Sequence, residues 1–197
     1  VLFPGRKNKK KRPPGIFPRM VGPSLGQDSK DKSVMAFGIG VAAILLFMLL
    51  FYRLSGFVAD VTLLLYVLLL LLALKYLNAT LTLPGIAGII LSVGMAVDAN
   101  VLIFERFKEE YRSGKTIRAA MDAGFSRAFA TIVDSNVTTL IAAVVLFFLG
   151  TGPIRGFAIT LVLGIILSMF TAVTVTQYML KLLMHANAIK NGKVFGA

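Results

Sequence analysis

The chain has 197 residues, of which 57% are hydrophobic and 15% are charged, and its mean hydropathy is +0.82. Because a soluble domain of this length is far less apolar, the composition indicates an integral membrane protein. The net charge of +12 does not by itself indicate nucleic acid binding, since basic residues in membrane proteins mark cytoplasmic loops. The absence of cysteine excludes disulfides, thiol nucleophiles and cysteine-based metal sites.

The N-terminal residues 1–33 are a polar, basic lead-in rich in Lys, Pro and Gly, and residues 1–20 are expected to be disordered. No secretory signal peptide fits this stretch, because no apolar segment adjoins its basic run. Five apolar runs follow, each near the roughly 20 residues that a spanning helix needs. They are residues 34–52, 57–77, 84–104, 131–150 and 156–180. The sequence therefore predicts an all-α, polytopic membrane bundle with five transmembrane helices.

The second and third predicted spans differ in composition. The second contains a leucine block, residues 63–72, which is typical of a lipid-facing surface. The third carries small residues at helical spacings, which allow a neighbouring helix to approach closely. They are Gly85, Gly88, Ser92 and Gly94. We expect Gly85 and Gly88 to serve packing, and Gly94 also to make room for Asp98, one turn away on the same face.

Asp98 is a lone carboxylate in the third predicted span. An ionisable side chain at membrane depth costs roughly 2.5 to 3.5 kcal/mol even on insertion scales, so Asp98 is a functional-site candidate. Asp98 and Asp134 both lie about 10 to 12 Å from the cytoplasmic boundary at the rise of an α-helix. Asp134 has an alternative role as an interfacial residue favoured by the positive end of its helix. Polar neighbours of the two carboxylates are expected to make helix contacts or hold water: Asn100, Ser135, Asn136, Thr138 and Thr139.

Residues 105–130 connect the third and fourth spans and predict an amphipathic cytoplasmic helix, with apolar residues at spacings of three and four. That helix either anchors the loop at the lipid headgroups or docks a partner. The abundance of Lys and Arg in this loop places it in the cytoplasm. Alternation then places the tail 181–197 inside and the N-terminus outside. A basic N-terminus outside is unfavourable, so we expect a further span or an exported domain upstream.

Three kinds of chemistry fit a membrane carboxylate. Removal from water favours the neutral acid, so Asp98 can bind and release a proton as a relay. Apart from Lys75 near the end of the second, the predicted spans contain no Lys, Arg or His, so any counter-charge must come from another chain. An intramembrane aspartyl protease would need two carboxylates sharing a proton, but the local sequence before Asp98 lacks the Gly-x-Gly-Asp arrangement. A passive scaffold, in which Asp98 only bonds a partner helix, is the third interpretation.

Several strings resemble one family. The runs 83–88 and 94–106 resemble the fourth-span signature of the SecD family, which belongs with SecF to the RND superfamily. Residues 21–26, 134–139 and 150–158 resemble further segments of that family, whereas residues 1–20 match no part of it. The resemblance implies spans two to six of a six-helix unit, preceded in the family by a first helix and a large exported domain.

The resemblance also implies a function. It is assistance to preprotein export across the bacterial cytoplasmic membrane, driven by the proton motive force, with Asp98 as the proton-relay carboxylate. The implied partners are SecF, separate or fused, the SecYEG translocon, YajC or YidC, the preprotein and membrane lipids. No enzyme activity, cofactor, metal or nucleic acid is expected. The alternative is an RND-type proton-coupled exporter of lipid or small hydrophobic molecules.

The connection between the fourth and fifth spans is predicted to form a turn at the outer mouth. Its residues are Gly152, Pro153, Arg155 and Gly156. We expect Gly152 and Gly156 to serve backbone geometry there.

Overall fold

The structure is a computed structural model that describes residues 23–79 and 82–185. Every regular element in those ranges is helical, which confirms the predicted all-α membrane bundle. The elements are α1 (Pro23–Tyr76), α2 (Leu83–Arg112), α3 (Ile117–Leu149), α4 (Gly152–Phe170), a π-helical turn (Thr171–Thr176) and α5 (Gln177–His185). The predicted disorder of residues 1–20 and the tail beyond His185 lie outside the described residues.

Helix α1 is divided into two arms by a sharp break at Arg53, which has φ 48° and ψ −114°. In a straight helix Met48 and Gly56 would lie about 12 Å apart along the axis. Here a Cβ on Gly56 would collide with the carbonyl oxygen of Met48, so the chain reverses at this point. The glycine is required because only a residue without a side chain allows the two arms to meet so closely.

The number of helices differs from the sequence prediction. Four stretches of the described residues are long and apolar enough to cross a membrane: Asp31–Tyr76, Leu83–Arg112, Ile117–Leu149 and Gly152–Leu183. The first two predicted spans are the two arms of α1, so they belong to one broken helix. Helix α1 also begins at Pro23, well before the predicted start at residue 34.

The segment 105–130 does not form a separate cytoplasmic helix. Its first part continues α2 to Arg112, and its second part is the start of α3, with the turn between them at residues 113–116. The predicted apolar side of this segment is nevertheless buried in the core: Ala120, Met121, Phe125 and Ala128. Helices α2 and α3 therefore extend beyond their apolar runs into the polar residues of this segment.

Helices α2 and α4 pack through small residues that face each other in parallel register. A Cβ on Gly88 would collide with Thr160 Oγ1, and one on Gly164 would collide with the Cβ of Ser92. A Cβ on Gly85 would lie 3.7 Å from the carbonyl oxygen of Gly156. The predicted packing role of Gly85 and Gly88 therefore agrees with their place in this contact, which brings the two backbones close together.

The leucine block of the second arm is only partly exposed. Leu63, Tyr66 and Leu70 are buried against Ile89 and Val93 of α2. The opposite side of the same arm is exposed, as the lipid-facing expectation requires: Leu64, Leu68, Leu71 and Leu72. A continuous run of leucines conceals this division because both sides of the helix carry the same residue.

Gly88→Ala is expected to destabilise the bundle by about 1 to 3 kcal/mol, because the added methyl group overpacks the contact with Thr160. The measurement is thermal unfolding of the purified full-length protein in detergent. Gly38→Ala is the matched control, since a Cβ on Gly38 meets nothing within 4 Å. That control should be neutral or slightly stabilising, as alanine favours a helix over glycine. Equal effects of the two substitutions would show that the α2–α4 contact is not tightly packed.

Candidate functional site

A cavity of about 260 Å³ lies between α2 and α3 at the depth of Asp98. Helix α2 contributes Asp98 to its wall, and α3 contributes polar residues on the facing side. The lining consists of Met95, Asp98, Ala99, Leu102, Ile132, Ser135, Asn136 and Thr139. The predicted carboxylate and the predicted polar group Asn136 therefore meet at one site.

Three polar side chains of α3 that line the cavity each donate one hydrogen bond to the backbone of their own helix. Ser135 Oγ donates to the carbonyl oxygen of Ile132 at 3.1 Å, and Asn136 Nδ2 donates to the same oxygen at 2.7 Å. Thr139 Oγ1 donates to the carbonyl oxygen of Ser135 at 3.1 Å. A hydroxyl group has one proton and two acceptor lone pairs, so Ser135 and Thr139 keep acceptor capacity for other groups at the cavity that Asp98 also lines.

Asp98 is exposed at the surface of the described chain, on an open face of α2. Ala87 and Leu91 are exposed on the same face, and a Cβ on Gly94 would meet nothing within 4 Å. The spacing of these four positions puts them on one side of the helix. The chain by itself therefore does not enclose Asp98, and Gly94 borders open space beside it.

Asp134 and Thr138 lie elsewhere on α3. Both are exposed, and Thr138 Oγ1 donates to the carbonyl oxygen of Asp134 at 3.1 Å. Asp134 is not among the residues that line the cavity of Asp98. The structure therefore does not bring the two carboxylates together around a shared cavity, as a protease dyad would require.

Asn100 is buried on another side of α2, away from the cavity. Its Oδ1 accepts a hydrogen bond of 2.8 Å from Thr176 Oγ1, in the π-helical turn. Thr62 Oγ1 of the second α1 arm lies 3.4 Å from Thr176 Oγ1. The predicted role of Asn100 as a helix contact agrees with this geometry.

The turn between α3 and α4 packs against the start of α2. Arg155 Nε donates to the carbonyl oxygen of Gly150 at 2.9 Å, and Thr82 Oγ1 lies 3.4 Å from the carbonyl oxygen of Pro153. A Cβ on Gly156 would lie 2.7 Å from Thr82 Oγ1, so Gly156 serves close packing. The backbone role expected of Gly156 stays a prediction beside this packing role. Gly152 opens α4 and has open space around it.

An ion-pair network that the sequence analysis missed joins the helices at the other end of the bundle. Glu105 accepts hydrogen bonds from Tyr52 Oη at 2.9 Å and from Lys108 Nζ at 3.1 Å, and Lys108 lies over the Tyr52 ring at 4.4 Å. Because Tyr52 immediately precedes the break at Arg53, this network attaches the reversal of α1 to α2. The spacing of Glu105 and Lys108, three residues apart on a helix, was the available signal.

Glu110 forms a second, separate group of ion pairs near the turn after α2. Its side chain is 4% exposed and pairs with Lys115, in the turn after α2, and with Arg127 of α3 at 2.6 Å. A carboxylate buried in this way needs its cationic partners to remain charged without a large penalty. Glu110 therefore holds the α2–α3 turn in place.

Asp60 is a further carboxylate that the sequence analysis overlooked. It lies seven residues after the break in α1, and its Oδ1 is buried without a hydrogen-bond partner among the described residues. Its position at the start of an apolar run was a visible signal.

No group of three or more His, Cys, Asp or Glu side chains in residues 23–79 and 82–185 is arranged to hold a metal ion.

Glu110→Gln is expected to loosen the turn at residues 113–116, because the amide cannot neutralise Lys115 and Arg127. The measurement is limited trypsin digestion of the full-length protein in membrane vesicles, which should cleave after Lys115 several-fold faster. Glu109→Gln is the control, since its pair with Arg106 is exposed to solvent. Cleavage at one rate in both variants would contradict the proposed role of Glu110.

Comparison with known proteins agrees with the resemblance. The family model described as "Protein export membrane protein SecD/SecF, C-terminal" matches residues 7–186. The match begins at residue 7, so the expectation that residues 1–20 lie wholly outside the family pattern is wrong. The protein translocase subunit SecD of Acidaminococcus fermentans is 70% identical over 179 residues, which are 91% of this chain and 43% of that protein. The SecD of Dictyoglomus turgidum is 57% identical over 172 residues, 87% of this chain and 43% of the relative.

Solved structures show the same fold. The crystal structure of SecDF from Thermus thermophilus, described as a translocon-associated membrane protein, has a TM-score of 0.82 and 44% identity. The match covers 85% of this chain and 24% of that one. This chain thus spans less than half the length of each of these three relatives. From the family match, the high identity and the shared fold, we conclude that this multi-pass membrane protein belongs to the SecD/SecF family of protein export membrane proteins.

Proposed function

We propose that this chain is the membrane part of a SecD-type accessory subunit of the Sec protein translocase. In this role it assists preprotein export across the cytoplasmic membrane, coupled to the proton motive force, and it is not an enzyme. The names of its relatives support the translocase assignment. The observation that supports the coupling is that Asp98, a lone carboxylate in an apolar run, lines the cavity between α2 and α3.

The walls of the cavity suit a carboxyl group that gains and loses a proton. When Asp98 is neutral, its proton can be donated to the hydroxyl oxygens of Ser135 or Thr139, whose own protons bond the α3 backbone. When Asp98 is ionised it can only accept hydrogen bonds, so it needs donors such as the second Nδ2 proton of Asn136 in place of acceptors, and the two states prefer different arrangements of α2 and α3. Because the two ionisation states of Asp98 favour different arrangements of α2 and α3, protonation can shift the equilibrium between those arrangements.

The open face of α2 supports a partner in the membrane. A carboxylate exposed to hydrocarbon is strongly disfavoured, so the face with Ala87, Leu91, Gly94 and Asp98 needs cover. Small residues at 87 and 94 allow a partner helix to approach it. We assign this cover to the helices of SecF, separate or fused, which would also supply the cationic partner that the middle of the predicted spans lacks.

The remaining partners and the orientation follow from the family and from the charge distribution. SecYEG, with YajC or YidC, and the preprotein are the partners of the whole subunit, of which this chain is a part. One end of the bundle carries Glu105, Lys108 and Glu110. That end lies on the cytoplasmic side of the bacterial inner membrane, because the basic residues concentrate there. The start of α1 then lies on the outer side and α5 on the cytoplasmic side.

Asp98→Asn in the full-length subunit is expected to abolish the part of preprotein export that depends on the proton motive force, because an amide cannot release a proton. The measurement is export into inverted membrane vesicles with and without an uncoupler. Asp134→Asn is the matched control on the next helix, and it should retain the dependence. Full uncoupler-sensitive export by Asp98→Asn in an assembled complex would contradict the relay, whereas loss of assembly alone would favour a scaffold role.

Leu91→Cys is expected to form a crosslink to a cysteine introduced in a SecF transmembrane helix, because Leu91 lies on the open face of α2 and is 48% exposed. The absence of native cysteine in this chain means that any crosslink from it arises at the introduced position. Leu46→Cys on the first arm of α1 is the control, since it is 59% exposed on a different surface. Crosslinking from position 46 and not from position 91 would place the partner elsewhere.

A further inference from the structure

Helix α4 does not continue regularly into α5, because the π-helical turn Thr171–Thr176 separates them. This turn has the sequence Thr-Ala-Val-Thr-Val-Thr, in which β-branched residues disfavour a regular helix. Thr171 Oγ1 lies 2.9 Å from the carbonyl oxygen of Leu167 and 3.1 Å from that of Ser168. Threonine hydroxyls that bond the preceding turn compete with the regular ladder and bend helices. Isolated π-helical turns often occur at functional sites.

Thr176 closes the turn and joins it to α2. Its hydroxyl donates to Asn100 Oδ1 at 2.8 Å, and both side chains are buried, with exposures of 0% and 3%. The other oxygens near Thr176 Oγ1, those of Thr62 and of the Thr171 carbonyl, lie at 3.4 Å. Because a hydroxyl has one proton, the short contact to Asn100 is its principal hydrogen bond.

Asn100 connects this turn to the helix that carries Asp98. The two residues are two positions apart on α2, so their side chains project roughly 160° apart around the helix axis. Asp98 lines the cavity against α3, while Asn100 bonds Thr176 on the opposite side. A rotation or sliding of α2 relative to the π-helical turn would therefore strain or break the bond between Asn100 and Thr176.

We propose that Asn100 is a positioning residue that transmits movement of α2 to the π-helical turn through its hydrogen bond to Thr176. This inference rests on the proposed function, in which protonation of Asp98 changes the arrangement of α2. While the hydrogen bond between Asn100 and Thr176 holds, α2 and the π-helical turn keep the same position relative to each other. When α2 moves, the bond draws the turn with it, or breaks and lets the turn relax towards a regular helix, which changes the direction of α5.

The test is hydrogen–deuterium exchange of residues 171–176 in the full-length subunit with its SecF partner, in lipid nanodiscs. Asp98→Asn serves as a fixed neutral form, and it should change the exchange rate of the turn about two- to tenfold, the effect of gaining or losing one hydrogen bond. The double variant Asn100→Ala with Thr176→Val removes both bonding partners together, so no buried group is left unpaired. In that background Asp98→Asn should have no effect on the turn.

Two control variants separate coupling from simple loosening of the fold. Thr176→Ser retains the hydroxyl and should preserve the response of the turn to Asp98→Asn. Ser168→Ala removes a buried hydroxyl that lies 2.9 Å from the carbonyl oxygen of Ile165 in its own helix, and it should also preserve the response. An undiminished response in the double variant would overturn the proposal, as would the absence of any response in the unmodified chain. Failure of the relay itself would instead appear in the export assay, independently of the exchange rates.

Discussion

The close contact between α2 and α4 determines how the rest of the bundle presents Asp98. Gly88 and Ser92 face α4 at close range, since a Cβ on Gly88 would collide with Thr160 and a Cβ on Gly164 would collide with Ser92. Because that side of α2 packs against α4, helical periodicity directs Asp98 towards α3 and the open face, and Asn100 towards Thr176 of the π-helical turn. Packing by small residues therefore fixes the orientation of the polar ones.

This arrangement gives Asp98 polar neighbours on only one side within the described chain. A carboxylate at membrane depth is disfavoured by several kcal/mol unless it is neutral, hydrated or paired. The cavity with Ser135, Asn136 and Thr139 provides polar surface on one side of Asp98, and the other side is open. At the end of the bundle near the break in α1, by contrast, Glu105 is paired within the chain, with Tyr52 and Lys108. The contrast supports a site that is completed by a second subunit.

The sequence predicts the helical class, the small residues of α2 and the position of Asp98 in an apolar run, because periodicity and isolated charges are visible in one dimension. It does not predict the two-sided burial of the leucine block, since Leu63 and Leu64 look alike until the neighbouring helix is known. The π-helical turn and its bond to Asn100 also escape prediction, because they depend on the register of helices 76 residues apart in sequence. The sequence shows that Asp60 and Glu110 are carboxylates, but it does not show that Asp60 Oδ1 and the Glu110 side chain are buried.

The most direct test of the relay is infrared spectroscopy of the protonated carboxyl band of Asp98, assigned by its absence in Asp98→Asn, in the assembled full-length complex. The account predicts that this band changes reversibly as the pH on one side of the membrane is varied, because the side chain gains and loses a proton. A carboxyl group that remains in one ionisation state throughout the pH range in which the complex is active would contradict the account.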